Sequence, residues 1–466
     1  MIVKLPFLMK IQHPEIFKAY DIRGIVGRSL TPEIVEQIGR AVGTEALRAG
    51  DSAVVIGRDG RLSGPEIAGA LARGIHTTGC NTIDIGMVPT PLTYFATHAL
   101  EIGSAVSVTG SHNPPDYNGL KIMIGTHTLA AERIQDLRRR IEDQDFVTGS
   151  GVPRAEEILE TYLQRVVGDI QLDRPLRVVS DCGNGVAGVL APQLLRAIGC
   201  EVIELFTEVD GTFPNHHPDP SVADNLTDLI AAVRQHQADL GLAFDGDGDR
   251  LGVITDRGQV IWPDRQMILF ARDILERNPG AQIIYDVKCT RLLPEAVSQA
   301  GGQPLMWKTG HSFIKAKLRE TGAAFGGEMS GHLFFKERWL GFDDALYAAA
   351  RLCEVLSRTE RKPSAVFADI PDTVNTPELR LEMDEGEHYK LIAELVATAD
   401  FPGGDICSID GVRVDFADGF GLARASNTTP TVILRFEADT QPALDRIMDL
   451  YRRQILAIRP GIVLPF

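Results

Sequence analysis

Hydrophobic and polar positions recur along this chain in a theme with a period of roughly one hundred residues. In the first pass, Ala53-Val-Val-Ile56 predicts a strand running into Gly57-Arg-Asp-Gly60. Ile67, Leu71 and Ile75 then share one face of a helix that begins near Pro65. A Gly-led strand, Gly79-Cys-Asn-Thr-Ile-Asp-Ile85, follows, and a later one ends in Thr109-Gly-Ser-His-Asn-Pro114. The second pass runs from Arg177-Val-Val-Ser180 into Asp181-Cys-Gly-Asn-Gly185, through a helix with Leu190, Leu194 and Leu195, to Gly199-Cys-Glu-Val-Ile-Glu-Leu205. Its later strand ends in Asp245-Gly-Asp-Gly-Asp-Arg250. The third pass has Gln282-Ile-Ile-Tyr285 before Asp286-Val-Lys-Cys289, then Gly301-Gly-Gln-Pro-Leu-Met306, and a last strand ending in Gly327-Glu-Met-Ser-Gly-His332.

Strand, helix, strand, helix, strand is an α/β order with a mainly parallel sheet, whose working loops lie at the carboxyl ends of strands. The three distinctive loops occupy the same place in their repeats. The C-terminal stretch breaks the theme. Ile406–Ile409, Asp410-Gly411 and Val412–Phe416 predict a hairpin, Gly421 to Pro430 a loop, and Thr431–Phe436 a strand. A closing helix carries Leu444, Ile447, Met448 and Tyr451. The expected fold is three similar α/β domains with mainly parallel mixed sheets (1–157, 158–260 and 261–371) and a C-terminal α+β domain (372–466).

Composition narrows the class. Apolar residues make up 44% and charged residues 24%, as in a globular protein with substantial cores. No apolar run reaches the roughly 18 residues that span a bilayer. Met1 to Lys10 is too short and too interrupted for a signal peptide. The six cysteines lack CxxC spacing, which predicts neither a zinc site nor a disulfide framework, and the cytoplasm is the expected compartment. A net charge of −16 opposes nonspecific nucleic-acid binding, and an anionic small-molecule substrate would require a local basic cleft on an acidic body. Neither a nucleic-acid nor a membrane partner is expected, and the expected state is a monomer.

Asp245, Asp247 and Asp249 alternate with glycines and end on Arg250. Spaced by two, their side chains share a face, and the glycines let the backbone bend until the oxygens converge. Converging carboxylates without Cys or His favour a hard cation such as Mg²⁺, Mn²⁺ or Ca²⁺. A solvated turn is the other reading. An EF-hand loop wants Gly sixth and Glu twelfth, where this chain has Arg250 and Asp256.

Ser111 sits on a glycine-hinged, proline-stopped loop without the G-x-S-x-G of a hydrolase elbow. It is either a turn serine or the carrier of a phosphoryl group, which would bring about −1.5 to −2 charges. Lys121 follows close behind and offers positive charge or a proton. Glu328 and Ser330, two apart, would share a face on an extended segment; they form a solvated turn or a reader of adjacent sugar hydroxyls. His311 and His332 are structural, general acids or phosphate contacts. Arg424, Ser426, Asn427, Thr428 and Thr429 are dense in donors and suit a phosphate monoester or a simple polar turn. His216 and His217, fixed among prolines, predict an ordered loop rather than a metal site.

Four long motifs, in order, resemble those of the α-D-phosphohexomutases: TGSHNPP with Ser111, DGDGDR at 245–250, GEMSGH at 327–332 and RASNTTP at 424–430. Phe17-Lys-Ala-Tyr-Asp-Ile-Arg-Gly24 matches as well, and the likeness is to the bacterial phosphomannomutase/phosphoglucomutase subgroup. The resemblance implies four domains around a central cleft and reversible conversion of hexose 1-phosphate to hexose 6-phosphate, for mannose and glucose. It implies a phosphorylated Ser111, a glucose or mannose 1,6-bisphosphate intermediate, and Mg²⁺ on Asp245, Asp247, Asp249 and the phosphoserine. Arg250, Lys121 and Arg23 would offset the remaining negative charge, and His332 or Lys121 would carry protons. Tyr20, Lys288 and His311 would join Glu328, Ser330 and the Arg424–Thr429 segment as substrate contacts. The alternatives are a phosphoglucosamine mutase and a metal-dependent sugar phosphatase using Asp245 as nucleophile.

Overall fold

Ala53–Arg58 forms the strand that its apolar run predicts, and it lies parallel between Ala105–Val108 and Asn81–Met87. The computed structural model describes residues 11–466, so the opening segment read against a signal peptide lies outside the described residues. The chain divides into two compact units. One comprises the residues up to Pro263 together with Ser330–Phe367, the other Asp264–Met329 with Ala368–Phe466.

The first unit holds two sheets. Seven strands form the first, in the order Ile22–Ile25, Tyr117–Ile124, Ala105–Val108, Ala53–Arg58, Asn81–Met87, Pro153–Ala155, with His127–Thr128 on the edge of Tyr117–Ile124. The last four on this path pair in parallel; Tyr117–Ile124 runs antiparallel to both its neighbours on the path. Helices Pro32–Arg48, Gly64–His76 and Glu132–Asp143 contribute to the main apolar cluster, with Val35, Ile38, Leu71, Leu137 and Ile122 buried together. In the second sheet, Arg177–Asp181 lies parallel to Glu201–Leu205 and Leu240–Phe244, and Leu251–Thr255 returns antiparallel. The segment from Ser330 adds the helix Ala345–Ser357, capped where Asp344 accepts the Tyr347 N–H. Asp344 also accepts from Tyr162 and Trp339, and Trp339 stacks on Tyr347 at 4.2 Å.

In the second unit Gln282–Asp286 lies parallel to Gln303–Trp307 and Phe325–Gly327. Its other sheet is antiparallel: Thr431–Ala438 pairs with Val374–Asn375, Leu379–Glu382 and Gly419–Ala425, followed by Val412–Phe416 and Asp405–Cys407. Helices Glu387–Thr398 and Gln441–Ile458 close its core through Leu391, Leu395, Leu444, Ile447 and Tyr451. These are the expected mixed, largely parallel α/β sheets followed by an α+β arrangement.

Three local expectations change. The stretch from Gly421 is strand as far as Ala425, and only Ser426 to Pro430 turns. Strands on both sides satisfy its backbone, which outweighs its glycine and polar content. Asp245 to Arg250 is the turn of an antiparallel hairpin, so its carboxylates converge through the turn rather than by strand alternation. Glu328 to Ser330 also turns, held where Asp286 accepts the Met329 N–H.

Candidate active site

The first unit gathers one set of the expected residues at the ends of its strands. Ser111 follows Ala105–Val108 and is buried, with its backbone in the left-handed region at φ 48°. For a side chain with a Cβ that conformation costs of order 1–3 kcal/mol, so surrounding contacts must impose it. Its Oγ lies 3.1 Å from Asp245 Oδ2. Glycine at 246 permits the approach: a Cβ there would sit 2.4 Å from the Ser111 carbonyl oxygen.

The hairpin turn binds itself through Asp245, whose Oδ1 accepts the N–H groups of Asp249 and Arg250. Lys121, on Tyr117–Ile124, donates to Asp247 at 2.8 Å and to Asp249 at 2.5 Å. Thr90, at the start of the helix Thr90–Ala99, donates its hydroxyl to Asp247 Oδ2 at 2.6 Å and its N–H to the Asp247 carbonyl. Burial, then the charges of Asp247 and Asp249, push the Asp245 carboxyl well above the usual carboxylate range. Burial opposes ionisation of Asp247 too, but Lys121 outweighs it and holds that carboxyl low. Burial likewise disfavours the Lys121 ammonium, and the facing carboxylates overcome it and raise its pKa.

One lysine cannot satisfy this trio. The three carboxylates are fully buried and offer ligand atoms within 4.8 Å of one another. Asp247 Oδ1 and Asp249 Oδ1 are buried and accept no hydrogen bond from the described residues. Hard oxygens, excess negative charge and orphaned acceptors fit a divalent cation. Asp249, His332 and Asp343 form a second close group. In it the Arg250 guanidinium donates to His332 Nε2 at 3.0 Å, and Asp343 faces Nδ1 at 3.1 Å. An arginine has no lone pair to give, so Nε2 accepts, and Nδ1 lies between Asp343 Oδ2 at 3.1 Å and Asp249 Oδ1 at 3.5 Å. That group orients an imidazole. Arg23 pairs with Asp21, donates to Asn113, and reaches the Gly110 carbonyl at 3.4 Å. Tyr20 is half-buried in the bend just before it.

The second unit gathers another set. Glu328 is buried and accepts the Gly310 N–H, just before the helix that His311 begins. Asp410 accepts from the Thr309 N–H at 2.9 Å and from Arg424 Nε at 3.1 Å, tying the two segments together. Ser426 Oγ gathers the Thr428 and Thr429 N–H groups and the Thr429 hydroxyl, and Asn427 lies half-buried on the same turn. Lys288 donates to Glu378 at 2.6 Å; burial disfavours its charge, and Glu378 more than restores it. Ser330 opens the returning segment of the first unit, half-buried.

Thr90, Asp343, Asp410, Glu378 and the pair Asp59–Arg61 were not singled out from the sequence. Gly57-Arg-Asp-Gly60 carries a signal, since it ends the first strand of its repeat, as Asp181-Cys-Gly-Asn-Gly185 and Asp286-Val-Lys-Cys289 do in the others. Asp410 carries in the sequence only the signal of a turn residue. His216 and His217 form an ordered loop: His216 Nε2 faces Asp181 at 3.1 Å, and His217 donates to the His112 carbonyl.

Family models cover this chain almost end to end. Those for phosphoglucomutase/phosphomannomutase α/β/α domains I, II and III match residues 14–148, 142–258 and 262–374, and that for the C-terminal domain matches 378–454. A phosphomannomutase/phosphoglucomutase of Pseudomonas aeruginosa is 55% identical over 451 residues, 97% of each chain. A phosphoglucomutase of Neisseria gonorrhoeae is 52% identical over 455 residues, 97% of this chain and 98% of its own. The crystal structure of a phosphoglucomutase/phosphomannomutase family protein from Burkholderia thailandensis superposes with a TM-score of 0.92 at 56% identity, covering 97% of this chain and 99% of its own. With a buried serine against an aspartate trio inside that fold, the chain belongs to the phosphoglucomutase/phosphomannomutase family, in the bacterial subgroup of the α-D-phosphohexomutases, and is an enzyme of the phosphohexomutase class acting on hexose phosphates.

Proposed function

We propose that this enzyme interconverts the 1- and 6-phosphates of both glucose and mannose through a phosphorylated Ser111. The observation that carries this is the 3.1 Å approach of the buried Ser111 Oγ to Asp245, inside a carboxylate trio that a cation fits. Asp245, Asp247 and Asp249, with the phosphoserine, would hold Mg²⁺, which supplies neutralisation of charge when bound.

The phosphoryl group leaves Ser111 Oγ and bonds to the free hydroxyl oxygen of a hexose monophosphate, giving glucose or mannose 1,6-bisphosphate. The proton of that hydroxyl passes to His332 Nε2, which Arg250 frees as its guanidinium turns to the transferred phosphoryl group, while Asp343 faces Nδ1. Lys121 and Arg23 are fixed cations beside the transferred group. The bisphosphate then turns over, and its other phosphate returns to Ser111. The same bisphosphate, added from outside, serves as activator by rephosphorylating the serine.

A mutase must hold either phosphate at one place while the sugar reverses. Arg424, Ser426, Asn427, Thr428 and Thr429 are assigned that task, with Tyr20, Lys288 and His311 as further contacts. Glu328 and Ser330 are assigned the O3 and O4 hydroxyls, which nearly exchange places on reversal. A site that reads O3 and O4 and ignores C2 accepts glucose and mannose alike, because they differ only there. Dual specificity is also in keeping with the name of the Pseudomonas aeruginosa relative. The four-domain division, with boundaries near 157, 260 and 371, belongs to the same proposal and is supported by the four matched segments.

A coupled assay with glucose, mannose and glucosamine 1-phosphates in Mg²⁺, run beside Ser111→Ala, tests it. Turnover of the first two, abolished in the variant, is expected. Turnover of glucosamine phosphate alone would move the enzyme to a phosphoglucosamine mutase. Release of free phosphate by both proteins would point to a phosphatase working through Asp245.

A further inference from the structure

Arg61 is a charged residue with no exposed side-chain surface, set in the turn after Ala53–Arg58. A guanidinium carries five N–H donors in a rigid fork, and here every one is used. Nε donates to Asp59 Oδ2 at 3.2 Å. One terminal nitrogen donates to the carbonyls of Pro114 at 2.5 Å and Tyr117 at 2.8 Å. The other donates to those of Ser111 at 2.9 Å and Asn113 at 2.6 Å. Four of the five bonds therefore end on the backbone of the serine loop.

Asp59 completes the clamp from the other side. Its Oδ1 accepts the Arg61 N–H, and its Oδ2 accepts the Gly110 N–H at 3.1 Å. The guanidinium also packs closely against Gly110, where a Cβ would meet Arg61 Cζ and Nε at 2.3 Å. The Phe213 ring lies 5.3 Å from Cζ on the same group. Between these anchors Ser111 keeps its left-handed backbone. A strained conformation persists only where neighbours over-determine it; here the Arg61 fork holds the Ser111 carbonyl and those of the residues after it, and Asp59 holds the Gly110 N–H before it.

We propose that Arg61 is a positioning residue for phosphoryl transfer: its guanidinium fixes the carbonyls of residues 111, 113, 114 and 117, and so holds Ser111 in the left-handed conformation that aims its Oγ at Asp245. This rests on the reading of Ser111 as the phosphoryl carrier. It gives the residue a part in catalysis beyond packing, since misplacing a reacting oxygen by about 1 Å costs on the order of 100-fold in rate. Lysine is no substitute. Its ammonium has three donors on one atom and cannot span four separated carbonyls.

The test uses full-length Arg61→Ala and Arg61→Lys in Mg²⁺. Steady-state turnover of glucose 1-phosphate is measured, along with the rate at which glucose 1,6-bisphosphate adds a phosphoryl group to Ser111, read by intact mass. For the alanine variant, kcat is expected to fall about 100-fold with KM changed less than about threefold. Ser111 phosphorylation should slow in step, and millimolar ethylguanidinium should restore both where ethylammonium does not. The lysine variant should stay slow. A folded alanine variant with kcat within about threefold of the parent, or a loss that ethylguanidinium leaves unchanged, overturns the proposal. If neither Arg61 variant folds, Gly110→Ala carries the test, because its methyl displaces the same guanidinium; an unchanged kcat there overturns it equally. Ser111→Ala separates the two ideas. If it still turns over, the phosphoserine reading falls; if it is dead while Arg61→Ala turns over normally, only the role of Arg61 falls.

Discussion

Lys121 Nζ lies 2.8 Å from Asp247 Oδ2, although 126 residues separate the two along the chain. The same ammonium reaches Asp249, and all three side chains are buried. A buried cation between two buried carboxylates leaves each dependent on the others, because none can turn to water when a partner is lost.

Replacing Lys121 with methionine should therefore cost both stability and turnover. Breaking a buried pair from one side costs about 3–5 kcal/mol. Without metal the variant should melt well below the parent, and added Mg²⁺ should recover part of the loss by occupying the anion-rich centre. Thermal denaturation with and without Mg²⁺, beside the mutase assay, measures both effects. An unchanged melting temperature without metal would show that the carboxylates do not rely on this lysine.

Asp245 bears the repulsion of the trio, since burial and its two neighbours push its carboxyl upward. Asp245→Asn removes a charge while its amide oxygen can still accept the N–H groups of Asp249 and Arg250. The metal-free variant should melt above the metal-free parent, yet lose the rise in Tm that Mg²⁺ produces in the parent through linkage. Scanning fluorimetry in EDTA and in Mg²⁺ separates the two. A variant that still gains stability from Mg²⁺ would place the ion elsewhere.

His216 makes part of the stability depend on pH. Its Nε2 faces Asp181 and its Nδ1 the His217 carbonyl at 3.0 Å, so both nitrogens meet acceptors. Burial lowers its pKa, but the bond and charge of Asp181 outweigh it, and the folded value lies above the ordinary one. The fold thus binds this proton more tightly than the unfolded chain does. The gain is complete below about pH 6.5 and fades as pH rises through the folded value. The gap in Tm between the parent and His216→Asn should be wider near pH 5.5 than near pH 9. A gap that widens with pH would mean the imidazole is buried neutral.

Tyr451 is fully buried and its hydroxyl sits 2.7 Å from the Gly421 carbonyl and 3.0 Å from that of Val412. Tyr451→Phe keeps the ring and removes the donor, leaving buried acceptors short of a partner at a cost of about 1–3 kcal/mol. Urea denaturation should show that loss, with turnover per folded molecule unchanged. A loss of turnover without a loss of stability would connect this helix to the reaction.

Much of the site was legible before the fold was known. Alternating aspartates and glycines announced a convergent anionic loop, and Ser111 stood out because glycine and proline fix the chain around it. Local composition predicts a loop at Arg424, yet it stands on a strand, because strands on both sides supply backbone partners that composition does not encode. Thr90 gave no local sign of its part, since its bond to Asp247 spans 157 residues. Arg61 was visible only as one more charge after a strand.

The sequence by itself determined the repeat of strand and helix, the three loops at equivalent strand ends, the donor-dense segment after Arg424, and through its motifs the family. These features are local, set by backbone preferences and the periodicity of apolar positions over a few turns or a few strand residues. Only the tertiary structure decided which charges meet: Lys121 with Asp247 and Asp249, His332 with Asp343 and Arg250, and Arg61 with the backbone beneath Ser111. The reason is physical. Burial makes an unpaired charge or carbonyl costly, and where its partner comes from depends on strand order in the sheet, which brings residues from distant parts of the chain to the same edge.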